Sequence, residues 1–548
     1  MDDRIPTAAT STADAPAADY VIVGAGSAGA LLAARLSEDP RTSVILIEAG
    51  GEAKSMLVQL PVGFARLVGH PAYDWRYLQE PDPSINNRRF LWSAGKLLGG
   101  GSSINGQVYI RGTRQDFDRW ESAGASGWGF DAVLPYFLKS EDWAGSPHPA
   151  HGRGGPMTVS PMREAHPLCD SFLSACGEAG MPRLADYHGG NMEGAFLTDA
   201  TQRDGWRCST EKAFLRPARS RANLTVMTRT EARSIRFDGR RANGVLVARN
   251  GELRTVRANR ELLICAGTVG SAALLLRSGV GPGAALQAVG VASHHHLPGV
   301  GANLQEHAGV GQNKFINRPS LNSQMHPLGM LSMAGQFVFG RRGAFGAPAV
   351  QAMALARSRA GLQEPDVQLH FLPLAYDIEP DTQSTASAAM PKEPTATVLA
   401  TLCQPRSRGR VELDVDGKPR IVHQFFADER DLQTMIDGQK LIARLFRTPS
   451  LEKLVIADRR PDPLPRSDAD WAAYIRAKAA PAYHPVGTCR MGSDEGAVTD
   501  PQLRVRGIGA LRVIDASVMP TITSGNTNAA TFMIAEKAAD LIRADAGH

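Results

Sequence analysis

Residues 19–36, DYVIVGAGSAGALLAARL, leave few options for the fold around them. Residues 20–23 form a short apolar run that reads as a buried strand. Gly24, Gly26 and Gly29 follow in G-x-G-x-x-G spacing. The first allows a tight turn, the second lets backbone approach a pyrophosphate, and the third lets a helix pack closely on the strand. Residues 28–36 read as that helix, with its positive N-terminal end toward the phosphates. Val44–Ile47 reads as a second strand, and Glu48 ends it where an acid accepts ribose hydroxyls. An acid there disfavours a 2′-phosphate, hence NADP. Strand, glycines, helix, strand and acid in this order predict an α/β, Rossmann-like dinucleotide domain. Ser27, Ala28 and Ala49 fall beside the ligand. The pattern alone does not separate FAD from NAD.

Other segments bear on that choice. Gly99, Gly100, Gly101, Ser102 and Ser103 form a small-residue run between apolar flanks. Such a loop brings backbone amides against a flat ring or a phosphate, because no Cβ blocks the approach. Near the far end, YHPVGTCRMG (483–492) holds His484, and residues 526–528 hold Asn526 and Asn528 just before a helical pattern over 529–542. Thr527 or Asn528 suits the cap of that helix. The helix is expected to be amphipathic, and its positive end favours negative charge on a ligand beside it.

These motifs resemble the glucose–methanol–choline (GMC) oxidoreductases, which are FAD enzymes. The resemblance spans nearly the whole chain. It includes DWRYLQEPDPSINNRRFLWSAGKLLGGGSSINGQVYIRG (74–112), CAGTVGSAALLLRSGVGP (265–282), LPGVGANLQEH (297–307) and the two C-terminal segments. Stretches such as RCSTEKAFLRPA look nearest the L-sorbose dehydrogenase-like and bacterial alcohol dehydrogenase-like branches, and the chain as a whole also resembles choline dehydrogenase-like members. The resemblance implies that Gly99, Gly100, Ser103, Asn105, Gly106 and Val108 run along the FAD ring. It further implies that Asp515 and Ala516 contact FAD. His484 matches the catalytic His, a residue type suited to accept a hydroxyl proton near neutral pH. Asn528 is read as the second active-site position, hydrogen-bonding the substrate oxygen and also reaching FAD, with Asn526 structural. Tyr483 is expected to line the substrate pocket.

Departures from the family pattern carry information. Some members attach FAD through a His in the glycine loop. Ile104 stands there, so non-covalent FAD is expected. Ala272 stands where a Pro is usual, at little cost to the match. Choline-oxidising members carry a Glu two residues after the NLQEH His. Here that position is Gly309, which disfavours choline, because a trimethylammonium group needs an anion or an aromatic cage. The implied activity is oxidation of a primary alcohol or polyol, with oxygen or a quinone-like acceptor taking the electrons. The alternative within the same fold is a lyase or decarboxylase, in which flavin has no net redox role.

At 548 residues the chain exceeds one compact core. The resemblance divides it into a discontinuous FAD-binding domain (1–162, 208–313, 476–548) and a substrate domain (163–207, 314–475). Residues 366–374 and 410–415 alternate like strands and suggest one antiparallel sheet walling a cavity, with a flanking helix over 432–446. Residues 377–394 read as a loop. Sixty basic and 55 acidic side chains show no basic run of the kind nucleic acid requires. No apolar stretch reaches a membrane span, and residues 1–19 read as a polar leader. The expected location is the cytoplasm, with peripheral membrane contact left open, and the expected state is a monomer or homodimer. Six Cys without C-x-x-C spacing read as buried thiols, and His294, His295 and His296 as no metal site, so no metal is expected.

Overall fold

The computed structural model describes residues 15–348, 350–376 and 390–547. The glycine-turn strand, Ala17–Val23, lies inside a seven-stranded sheet. Val44–Ile47 pairs with it in parallel on one side and Glu252–Ile264 on the other. Leu224–Met227 extends the parallel array beyond Val44–Ile47, and Leu511–Val513 joins Glu252–Ile264 in parallel. A parallel array of this kind is buried on both faces, which is why residues 20–23 read YVIV and Val44–Ile47 reads VILI without alternation. The register aligns Val23 with Ile47 and with Ile264, and Ile264 with Val513. The residues next in chain, Gly24, Glu48, Cys265 and Ile514, therefore meet at one sheet edge. That edge, beyond the carboxyl ends of the strands, is where an open α/β sheet binds ligands.

The second layer is a six-stranded antiparallel sheet ordered Ala352–Ala356, Val367–Leu372, Thr395–Leu402, Ala308–Ile316, Val455–Arg460, with Ala480–Pro481 also pairing Ala308–Ile316. Side chains alternate across it. Val367 and Ala400 pack under Gly438 of the helix Glu429–Leu445, while His370, Leu372, Leu399 and Thr401 face a large cleft. Gln439 clamps that helix to the sheet through Gln312 and the Val310 carbonyl.

Several expectations need correction. Arg410–Leu413 is a strand but not part of this sheet. It forms its own hairpin with Pro419–Val422 and packs against the helix Gly267–Arg277. Alternation marks a strand without naming its partner. The terminal helix, Asn528–Asp545, is buried nearly all round between Ser27–Leu36 and Phe130–Ser140 rather than amphipathic. The first strand starts at Ala17, within the expected leader, whose residues 1–14 lie outside the described residues, as do 377–389 of the expected loop. The domain limits drawn at 313 and 476 fall inside the strand Ala308–Ile316 and the helix Asp468–Lys478. All six Cys are buried and free.

Candidate active site

The glycine turn works by steric exclusion. A Cβ on Gly29 would sit 1.9 Å from the Gly24 carbonyl oxygen, and one on Gly24 would sit 2.4 Å from that of Cys265. Only glycine lets turn, helix and neighbouring strand converge this closely. The small-residue loop closes on the same turn. Gly100, at φ 50°, would place a Cβ 2.6 Å from Gly26 Cα, and the Gly99 amide donates to the Ala25 carbonyl at 2.7 Å. Glu48 reaches back under the turn, accepting from the amides of Ala25 (2.9 Å) and Gly50 (2.8 Å). Burial pushes its carboxyl up to about 7, and the two amides pull the other way.

From this turn a cleft of about 1350 Å³ runs to the six-stranded sheet. Gly24, Gly26, Ser27, Ala28, Glu48, Ala49, Gly100, Asn105, Gly106, Val108, Asp515, Ala516 and Asn528 line it, as do Tyr483 and His484. Gly29, Gly99 and Ser103, expected among the cofactor-binding residues, are not part of this lining. Gly29 packs beneath Gly24, and Ser103 Oγ donates to the Leu98 carbonyl at 2.8 Å, fixing the loop from behind. The length of the cleft, the cradle without side chains and the acid at the second strand end suit a dinucleotide. Glu48 would hold its ribose, and the turn with the helix end at Ser27 would hold its pyrophosphate.

His484 sits at the far end, positioned by strand pairing. Ala308 faces Pro481, the Ala482 amide donates to the His307 carbonyl, and Gln305 exchanges backbone bonds with Val486. Four residues, 482–485, thus span what Glu306 and His307 span on the other side, and the surplus bulges toward the cleft. Tyr483 takes a left-handed φ of 64° to make that bulge, an uncommon state for an aromatic residue. Glu306, fully buried, accepts from the His484 amide at 2.8 Å and from its own neighbour His307 at 2.9 Å. Burial pushes its carboxyl up to about 8. Thr268 Oγ1 donates to the Pro485 carbonyl at 2.6 Å, bolting the bulge to the helix Gly267–Arg277.

The His484 ring has two partners. Nε2 lies 2.8 Å from Asn526 Nδ2, and Nδ1 lies 3.1 Å from His307 Nδ1. With the amide nitrogen donating, Nε2 is the acceptor and the ring proton sits on Nδ1. Burial holds His484 well below the ordinary imidazole range, with further lowering from His307 and His370. Those two are themselves lowered by burial, to about 4 and about 3. The ring is therefore neutral near pH 7 and able to accept a proton.

Asn528, read as the second active-site position, bonds away from His484. Asn528 is the first residue of the terminal helix, and its Oδ1 accepts from Ser27 Oγ at 2.7 Å, at the dinucleotide turn. Asn526, read as structural, is the one beside His484, and its Oδ1 has no partner among the described residues. Residues 520–524 are held by Gln305, whose Nε2 donates to the Pro520 carbonyl, and by buried Asp116, which accepts from the Ser524 amide (2.7 Å) and hydroxyl (2.8 Å). His307, Glu306 and Gln305 were given no role from sequence, and Asn526 only a structural one. The NLQEH motif contains three of them, and its antiparallel partner, 481–486, is what gives it meaning.

The three consecutive His residues diverge: His294 stacks on Phe237, His295 meets the Arg506 carbonyl, and His296 accepts from the Gly283 amide. His148, His151 and Asp186 come together unforeseen, but His151 is already held between Glu141 and Asp186.

Two matches cover most of the chain: the GMC oxidoreductase N-terminal region over residues 18–309 and the C-terminal region over 405–535. The chain belongs to the GMC oxidoreductase family. It is an FAD-dependent oxidoreductase with an α/β fold. Similar proteins include the oxygen-dependent choline dehydrogenase of Vibrio vulnificus (strain YJ016), 38% identical over 96% of this chain and 94% of that one. That of Rhizobium johnstonii is 39% identical, over 96% and 95%. Among solved structures, pyridoxine 4-oxidase from Mesorbium loti superposes with a TM-score of 0.85 at 30% identity, over 97% and 99% of the two chains. Formate oxidase of Aspergillus oryzae RIB40 gives 0.90 at 27%, over 97% and 99%. Among the described residues no helix is long and apolar enough to cross a membrane.

Proposed function

We propose that this GMC oxidoreductase oxidises an alcohol to the carbonyl compound, with His484 as base and Asn526 as the donor to the reacting oxygen. The observation that carries this reading is the 2.8 Å contact between His484 Nε2 and Asn526 Nδ2 at the end of the cleft. A substrate hydroxyl that replaces this mutual bond donates its proton to Nε2 and accepts from Nδ2. As the proton leaves, negative charge grows on the oxygen, and the Asn526 amide, already aimed there, stabilises it. FAD, when bound along the cleft, would supply the hydride acceptor that alcohol oxidation requires. His307 orients the His484 ring through Nδ1, and Glu306 holds the backbone from which the ring projects.

The substrate end supports a neutral alcohol with an apolar body. Leu372, Leu374, Leu399, Tyr376, Tyr483 and Met333 line it. Among the described residues the lining carboxylates are Glu48, Glu231, Asp416 and Asp515, and none of these comes from the six-stranded sheet. A Cβ at Gly309 would meet Thr401 and Leu399 methyl groups, and no carboxylate takes its place among the described residues. A second reading, choline, is favoured by the relatives at 38–39% identity. Anaerobic bleaching of the flavin by aliphatic alcohols, aromatic alcohols, polyols, sugars and choline separates them. Bleaching by neutral apolar alcohols supports the first reading, and bleaching by choline alone establishes the second. Bleaching by none favours the lyase or decarboxylase alternative. Ile104, 3% exposed at the loop, offers no nucleophile for attachment, so acid precipitation is expected to release the flavin. Flavin retained in the pellet overturns that expectation.

A further inference from the structure

The helix Pro327–Gly340 is built the wrong way round for a surface helix. Met333 and Phe337 face inward, where Phe337 packs edge-on against Trp206 at 5.0 Å and Arg341 lies over the same indole. The outward stripe is Leu328, Leu331, Val338 and Phe339, exposed by 75%, 70%, 59% and 92%. Apolar residues at this spacing make one continuous ridge, where a solvated helix carries polar side chains. Met325, also exposed, immediately precedes the helix, and the segment holding exposed Met56 is tied to the turn after the helix by the Val62 amide, which donates to the Phe345 carbonyl. Met325, Met330 and Leu57 line the rim of the cleft, so the ridge borders its mouth.

Exposed cations stand beside the ridge. Between Glu306 and Glu364 the chain holds no Asp or Glu and six Lys or Arg, of which Lys314, Arg357 and Arg359 pair with Asp458, Glu193 and Asp437. Arg318 and Arg342 are exposed on either side of the helix, and Lys54 is exposed next to Met56, while Glu164 accepts from the Gly343 amide as the nearby acid. An apolar ridge flanked by cations matches a bilayer interface: the ridge enters the acyl boundary and the cations meet acidic headgroups.

We propose that the face formed by Pro327–Gly340 and Met56 docks on the surface of an anionic lipid bilayer, with the mouth of the cleft toward the lipid. The rim methionines then open into the apolar layer. A lipophilic alcohol or quinone-class acceptor enters from the membrane, a consequence that rests on the proposed oxidation, whereas docking does not.

The test uses the full flavin-loaded chain and cosedimentation with phosphatidylcholine vesicles, with and without phosphatidylglycerol. The wild type is expected to sediment with the anionic vesicles, less with neutral ones, and less at high salt. The triple variant Leu328→Asp/Leu331→Asp/Phe339→Asp is expected to lower partitioning at least about ten-fold, with flavin spectrum and turnover of a water-soluble alcohol unchanged. Arg342→Glu, a milder change that spares the fold, is expected to lower it about five-fold. Failure of the wild type to sediment with any vesicle overturns the proposal. So does undiminished binding by both variants. A wild-type dimer that the triple variant converts to monomer, without vesicle binding, reassigns the face to a second copy of the chain.

Discussion

Two asparagines two positions apart meet different partners. Asn526 lies in the loop before the terminal helix and points at His484, whereas Asn528 begins the helix and points at Ser27. Asn526→Ala is expected to lower the rate of anaerobic flavin reduction by about 10²-fold, the usual cost of removing one donor to a developing oxyanion. Asn528→Ala is expected to weaken FAD retention and leave the reduction rate of loaded enzyme within a few-fold. Stopped-flow reduction of both variants decides, and a larger rate loss in Asn528→Ala reverses the assignment. The base has its own signature. Only neutral His484 accepts a proton, and burial with two neighbouring imidazoles lowers its pKa. Its working form therefore persists below pH 6.5, the ordinary value. The kcat/KM profile is expected to stay flat through that pH and fall only in more acidic solution. An acid limb at or above the ordinary value contradicts the burial argument. His484 and Glu48 stand out in the sequence because chemistry needs one residue type at one spot. Asn526 does not, because which of two nearby amides faces the His484 ring depends on where the helix begins.

Elements meet at the cofactor cleft through backbone rather than side chains. Gly100 and Gly26 belong to segments far apart in sequence, and a Cβ on Gly100 would stand 2.6 Å from Gly26 Cα, with the left-handed φ of 50° adding strain. Gly100→Ala is expected to push the loop off the turn. The protein should then purify folded, by circular dichroism, with flavin content well below one per chain. Full occupancy at wild-type affinity shows that the contact is loose. The glycine turn, the helix after it and the strand Val44–Ile47 were readable because each has a local signal. The fate of Arg410–Leu413 was not, since its alternation is equally compatible with a hairpin or a larger sheet. The helix Pro327–Gly340 also escaped notice, because an apolar run reads as core until its exposed side is seen.

The two ends of the chain are assembled as one body. The helix Ser27–Leu36 packs along Asn528–Asp545, and Arg35 pairs with Glu536 at 2.7 Å across that contact. The Glu536 side chain is fully shielded, and burial raises its pKa while Arg35 lowers it. A shielded pair of this kind contributes little net stability, but removing one partner strands the other charge. Glu536→Ala is therefore expected to destabilise the protein by about 3 kcal/mol. Arg35 keeps Glu38 as a partial partner, which places the loss toward the lower end of that range. Because Ser27 and Asn528 bond between the same two helices, the variant is also expected to release FAD more readily, although neither charge is in the cleft lining. Replacing both partners, Arg35→Met with Glu536→Met, removes the stranded charge while preserving volume. It should recover most of the thermal stability and the flavin. Thermal denaturation and flavin release, measured on single and double variants, complete the cycle. A double variant as unstable as Glu536→Ala means that the ion pair itself, and not the avoidance of a lone buried charge, joins the ends of the chain.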